Sequence, residues 1–341
     1  MATITWPTSL PSNKNQDGIN LLIMSAIPKY IPPRLLFSNH LETIYPALLR
    51  KVRHVNYVRE RISTPDDDFL DLDWLLQDAS KVVIISHGLE GNTQRAYIKG
   101  MAKAFYEQGY DVLTWNYRGC SEEMNKQLRF YHSGATDDLD VVVQHTINNK
   151  KYQSISLIGF SLGGNLTLKY LGEKGESLDE HIAECVTFSV PLDLHASCKT
   201  ISKYCIYSQR FIKSLKKKVI DKARLQTELD VSGINKIKTL IEFDDEYTAP
   251  LHHFSNAIEY YEKCSSIHFL DTIKTPTLIV NAQNDPFLSS ATHSHPALFN
   301  NPFVQFENPK YGGHVGFALF NQNGLYWSEL RALDFINQKN V

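Results

Sequence analysis

Residues 155–165 read Ile-Ser-Leu-Ile-Gly-Phe-Ser-Leu-Gly-Gly-Asn, an apolar run that ends on Gly159-Phe160-Ser161-Leu162-Gly163. A buried strand that stops to place a serine between two glycines needs a reason, and a sharp strand-to-helix turn supplies one. The residue at the tip of such a turn is forced into strained backbone. Neighbouring chain then comes so close that side chains two positions before and after would collide, which calls for glycine. The turn presents the Ser161 hydroxyl clear of the sheet, and the next helix aims its first N–H groups at any oxyanion formed beside it. The pentapeptide alone should arise by chance in on the order of one chain in ten of this length. Its position decides the reading, because an apolar strand leads in and a helical pattern over 162–171 leads out.

Working outward, the same alternation repeats. Residues 82–85 form a short β-branched run typical of a strand covered on both faces. A helix is expected over 97–108, with Gly109 where it would stop. Strands follow at 112–115, 155–158, 183–190, 277–280 and 303–306. Between the first two, Thr136 stands before Asp137 and Asp138 as a helix start, and Leu139, Val142, Val143 and Ile147 keep an apolar face on helical spacing. Residues 59–75, around Pro65-Asp66-Asp67, read as a β-hairpin, and 326–336 as a closing amphipathic helix. Strands alternating with helices mean a mostly parallel sheet wrapped on both faces. The exception is about 194–268, long, aromatic-rich and helical in pattern. It is expected to be an insertion over the carboxyl edge of the sheet, where open α/β sheets bind ligands.

The chain has 341 residues, 43% hydrophobic and 21% charged, and a net charge of −2. That balance gives no reason to expect nucleic acid as a partner. Five cysteines, an odd number widely scattered, do not resemble a disulfide framework. No apolar run approaches the ~20 residues of a membrane span. Leu21-Leu22-Ile23-Met24 follows Asp17 and lacks the basic flank and small-residue cleavage site of a secretory signal. Residues 1–24 read as a loose polar tail, 25–341 as one domain carrying the insertion, and the cytoplasm is the expected location. Either Met1 or Met24 would serve as the start.

A serine hydroxyl needs a base to become a nucleophile, and the base needs an orienting carboxylate. On a strand–turn–helix of this kind the chain order is serine, acid, histidine. Of thirteen histidines only His314, in Tyr311-Gly312-Gly313-His314-Val315-Gly316, lies in the loop after the last strand. Asp285, directly after strand 277–280, is the preferred acid; Asp193, one strand earlier, is its rival. Asp244 and Asp245 in the insertion read as solvent-facing or capping. Two oxyanion donors are expected, the backbone N–H of Leu162 and that of Leu89 in Ser86-His87-Gly88-Leu89-Glu90-Gly91. His87 is expected to support that loop from below. His252 and His253 lack further ligands at a useful spacing for a metal.

Seven stretches stand in order: HGLEGNTQRAYI (87–98), NYRGCS (116–121), YHSGATDDL (131–139), GFSLGGN (159–165), EFDDEYTAPLHHF (242–254), NAQNDPF (281–287) and GGHVGF (312–317). With Asn39-His40-Leu41-Glu42-Thr43-Ile44-Tyr45-Pro46 before them, the chain resembles the YheT family of the α/β-hydrolase superfamily from about residue 27 to the end. The resemblance implies a serine esterase acting on acyl esters, medium-chain or phospholipid in eukaryotic relatives, with some transfer to alcohols. By position it implies the same set, Ser161, Asp285 and His314, and no metal or organic cofactor. It attaches no chemistry to Tyr131-His132-Ser133-Gly134. The expected partner is a small-molecule acyl ester. Tyr204, Tyr207, Phe211, Phe243, Tyr247 and Phe254 are candidates to line its acyl pocket. Lys213–Lys218 read as a solvated helix face, which leaves room for transient contact with a membrane surface. An acyltransferase or thioesterase on the same residues, or a binding protein that kept the fold, are the rival readings.

Overall fold

The computed structural model describes residues 27–149 and 152–338; the tail expected over 1–24 lies outside them. Helix α1 (Asn39–Leu49) leads into the hairpin β1 (Val58–Ser63) and β2 (Phe69–Leu75), then β3 (Lys81–Ser86), α2 (Ala96–Tyr106), β4 (Asp111–Asn116), α3 (Thr136–Asn149) and β5 (Ser154–Phe160). Helix α4 (Leu162–Lys174) and β6 (Ile182–Phe188) follow. The stretch to the next strand is helical: α5 (Leu194–Ser202), α6 (Cys205–Ala223), α7 (Leu240–Phe243), α8 (Ala249–Leu251) and α9 (Ala257–Cys264). Strand β7 (Thr277–Val280), α10 (Ala297–Asn300), β8 (Val304–Glu307) and α11 (Trp327–Asn337) close the chain.

The eight strands form one sheet in the order β1-β2-β4-β3-β5-β6-β7-β8. Only β2 runs against the rest, pairing antiparallel with both of its neighbours, β1 and β4. All other pairs are parallel, so β3, β5, β6, β7 and β8 end on one rim. This is the mostly parallel sheet expected from the alternation, and it agrees with the α/β-hydrolase fold that the resemblance implies.

The strands read as unbroken apolar runs because both faces are buried. Val82, Ile84, Ile155 and Leu157 face one core, built with Leu139, Val142 and Val143 of α3 and Leu166 of α4. Val83, Ile85, Ile158 and Phe160 face the other, with Ile98, Met101 and Phe105 of α2 and Phe335 and Ile336 of α11. The Thr136 hydroxyl turns aside to Glu173 Oε2 at 2.6 Å rather than capping the helix it begins. The five cysteines are free thiols, and only Cys205 is exposed. No helix among the described residues is long and apolar enough to cross a membrane.

Candidate active site

Ser161 sits between β5 and α4 with φ 53° and ψ −120°, a conformation that a residue with a side chain occupies only when its surroundings force it. Its N–H stays tied to the sheet, donating to Phe188 O at 2.9 Å. The flanking glycines are dictated by contact. A Cβ on Gly163 would lie 2.4 Å from His87 O, and one on Gly159 2.6 Å from Gly163 O.

His314, in the loop after β8, brings Nε2 to 2.9 Å from Ser161 Oγ. Its Nδ1 lies 2.9 and 3.1 Å from the two carboxylate oxygens of Asp285, in the loop after β7. An ionised carboxylate can only accept, so Nδ1 carries the proton and Nε2 is free to accept the Ser161 O–H. Asp285 is buried, and its Oδ1 also accepts the Phe287 N–H at 2.8 Å. The Phe287 ring stacks on the imidazole at 4.0 Å. The rival acid, Asp193, instead caps α5 by accepting the Ala196 N–H at 2.8 Å.

The loop after β3 presses against the serine, since a Cβ on Gly88 would lie 3.1 Å from Ser161 Cβ. The Gly88 carbonyl is held by the Gly91 N–H at 3.0 Å and by His87 Nδ1 at 2.8 Å. In a trans peptide the N–H points opposite the C=O, so these two donors also aim the Leu89 N–H. Among the described residues that N–H has no acceptor. Leu162 is the first residue of α4, so its N–H lacks an intrahelical partner too. Burial pushes His87 down to about 3, and its Nε2 accepts the Tyr117 N–H at 3.4 Å. It is a neutral support with its proton on Nδ1.

Two cavities meet at Ser161. One, of about 130 Å³, runs beneath the helices between β6 and β7 with Leu194, Ile201, Phe211, Leu240, Phe243 and Tyr247 in its wall. The other, of about 200 Å³, opens toward α1 past Leu48, Tyr97, Tyr207 and Arg210; His314 lines this cavity and not the first. Of the other aromatic candidates, Tyr204 packs on His40 and Phe254 on His132. Asp244, expected to face solvent or to cap, lines the first cavity instead. Burial pushes its carboxyl up to about 6 against hydrogen bonds from Tyr261 and Thr248.

The family model for serine aminopeptidase S33 hydrolases matches residues 77–300. YheT of Escherichia coli (strain K12), a candidate esterase, is 31% identical over 86% of this chain and 88% of its own. The chain belongs to the YheT-like α/β-hydrolases. Human phospholipase ABHD3 is 26% identical to this hydrolase over 84% of the chain and 73% of its own length. An esterase of Pyrococcus furiosus, Pf2001, shares the fold at TM-score 0.57 and 16% identity, covering 95% of this chain and 99% of its own. The family is one of esterase- and lipase-type enzymes.

This hydrolase carries site residues that sequence reasoning missed. Glu42 and Thr43 of α1 clamp the histidine loop: Glu42 Oε2 accepts the Gly312 N–H at 2.6 Å, and Thr43 Oγ1 accepts the His314 N–H at 2.9 Å. Asn284 bridges them, donating to Glu42 Oε1 at 2.9 Å and accepting the Gly313 N–H at 3.1 Å. Ser189 Oγ accepts the Val315 N–H at 2.9 Å. The one sequence signal was the Asn39–Pro46 motif, whose partner loop lies some 270 positions away. Asn165 donates to Ser133 O and Cys264 O and accepts the Ser266 N–H, fastening the Tyr131–Gly134 signature to α4.

Proposed function

We propose that this hydrolase is a serine carboxylic-ester hydrolase working through an acyl-enzyme. The reading is carried by the relay Asp285–His314–Ser161, with both links at 2.9 Å and the serine on a strained turn. His314 Nε2 takes the Ser161 proton as Oγ bonds to the ester carbonyl carbon, and Asp285 stabilises the imidazolium. The Leu89 and Leu162 N–H groups hold the oxyanion. The imidazolium returns its proton to the alcohol oxygen as the C–O bond breaks. Water then adds to the acyl-enzyme, gives its proton to His314, and the acid leaves as the proton passes back to Ser161 Oγ. The chemistry needs no metal or organic cofactor.

The leaving oxygen must meet the proton on His314, and His314 lines only the cavity that opens toward α1. That cavity takes the alcohol part, and the apolar cavity beneath residues 194–268 takes the acyl chain. Those residues act as a cap within one domain spanning 25–341. The names of the relatives, esterase and phospholipase, fit an acyl ester as the small-molecule substrate. The expected location is the cytoplasm.

Turnover of p-nitrophenyl esters of increasing chain length tests the reading, with an added alcohol as competing acceptor. Ser161→Ala should abolish turnover and labelling by a fluorophosphonate. Turnover by that variant would sink the mechanism, whereas ester in place of acid with added alcohol would make the enzyme an acyltransferase.

A further inference from the structure

Glu90 follows the Leu89 amide directly and holds φ 54°, a conformation unfavourable for a residue with a side chain. Something must hold it there. Its main chain is gripped on both sides: the N–H donates to Tyr131 Oη at 2.9 Å, and the carbonyl accepts from Arg95 at 2.8 Å. Its carboxylate reaches the insertion. There it accepts from Ser214 Oγ at 2.5 Å and pairs with Lys218 Nζ at 2.6 Å, both on α6, and it accepts the Tyr131 hydroxyl at 2.9 Å. The Glu90 and Lys218 side chains are only 8% and 12% exposed, so water screens the pair little. Lys218 also lies 3.0 Å from Cys120 Sγ and 4.7 Å from the centre of the Tyr131 ring. Burial opposes both charges. Their mutual attraction and shared hydrogen bonds outweigh it, holding the Glu90 carboxyl below and the Lys218 ammonium above their ordinary values.

We propose that Glu90 and Lys218 form a strut through which helix α6 holds the Leu89 N–H in its oxyanion-binding position, which makes both of them positioning residues. The proposal rests on the acyl-enzyme reading above. Within the loop the Gly91 N–H and His87 Nδ1 aim that N–H through the Gly88 carbonyl. The glycines at 88 and 91 leave the loop as a whole free to bend, so bonds from outside it must fix its place. Tyr131 supplies one from the body of the fold, and Ser214 and Lys218 supply theirs from the insertion. The insertion therefore roofs the acyl cavity and also completes the polar part of the site.

The test is steady-state turnover of a p-nitrophenyl ester by the full chain carrying Glu90→Gln, Lys218→Met, the double change, Lys218→Arg or Ser214→Ala. Glu90→Gln and Lys218→Met should each lower kcat by about tenfold or more with KM within about threefold, because a misdirected donor weakens the transition state more than the ground state. The double variant should be no worse than the poorer single one. Lys218→Arg should restore kcat to within about threefold of the parent, since the charge-assisted bond survives. If Glu90→Gln does not fold, Lys218→Met and Ser214→Ala decide the matter, the latter losing less than the former. A wild-type kcat in Lys218→Met, a loss confined to KM, or additive losses in the double variant would overturn the strut. Inactive Ser161→Ala beside fully active Lys218→Met would sink the strut alone, and active Ser161→Ala would sink the acyl-enzyme reading with it.

Discussion

The side chains of Ser161 and His314 lie 153 positions apart in the chain and 2.9 Å apart in space. His314 commits Nε2 to Ser161 and Nδ1 to a carboxylate, so the roles of the candidate acids can be separated by experiment. Asp285 accepts from imidazole Nδ1, whereas Asp193 accepts from a helix N-terminus. Replacing Asp285 by Asn keeps the shape but turns a donor or a neutral oxygen toward Nδ1, favouring the wrong tautomer. Asp285→Asn should lower kcat by roughly 10³–10⁴-fold. Asp193→Asn should leave kcat within about twofold, because Asn caps a helix as well as Asp does. Equal losses, or the reverse ranking, would move the acid to Asp193.

Among the elements, the helices between β6 and β7 depart furthest from a plain reading of their residues. Lys213 and Lys217 face solvent as a charged run should. Lys216 bonds Ile237 O, and Lys218 reaches in to Glu90. Asp244 opens a π-turn over Asp244–Thr248 between α7 and α8, the sort of irregularity that re-aims a side chain into a site. Burial raises its carboxyl from 3.8 in the unfolded chain to about 6, so the folded state holds the proton more tightly. The stability this gives is fully present below 3.8 and is lost as pH rises through 6. Asp244→Asn should therefore match the parent near pH 4 and exceed it near pH 8 by on the order of 2 kcal/mol, read as a growing gap in Tm. A gap that does not change with pH would remove Asp244 as the group responsible.

At the scale of the whole molecule, buried charges join parts of the chain that the apolar pattern leaves unconnected. Arg118, in the loop after β4, has a side chain 1% exposed and bonds Asp66 and Asp68 of the hairpin turn and Asp138 of α3. The network continues outward. Asp68 accepts from Asn125 at 2.7 Å, and Asn125 Oδ1 accepts from Lys222 of α6 at 2.7 Å. Burial pushes Lys222 down to about 8. Removing the central cation strands buried carboxylates, so Arg118→Met should cost about 3–5 kcal/mol and lower the denaturation midpoint. A loss under about 1 kcal/mol would show that the carboxylates are satisfied without it.

The sequence by itself determined the sheet, the elbow and the order of the three candidate catalytic residues. Strand runs such as 277–280, the Gly159–Gly163 spacing and the loop carrying His314 are set by backbone sterics and by burial on both faces, which act over a few residues and leave a local trace. The sequence preferred Asp285 to Asp193 without excluding either, because an aspartate after a strand suits both roles. Tertiary structure brings Asp285 to the imidazole and leaves Asp193 capping a helix. It also decided that Glu42, Glu90, Asp244 and Lys218 turn inward. Their types suit a solvated surface equally well. Asp244, in an irregular turn, is held by Thr248 and Tyr261. Glu42, Glu90 and Lys218 are held inside by partners 124 to 270 positions away, a distance over which composition and periodicity carry no information.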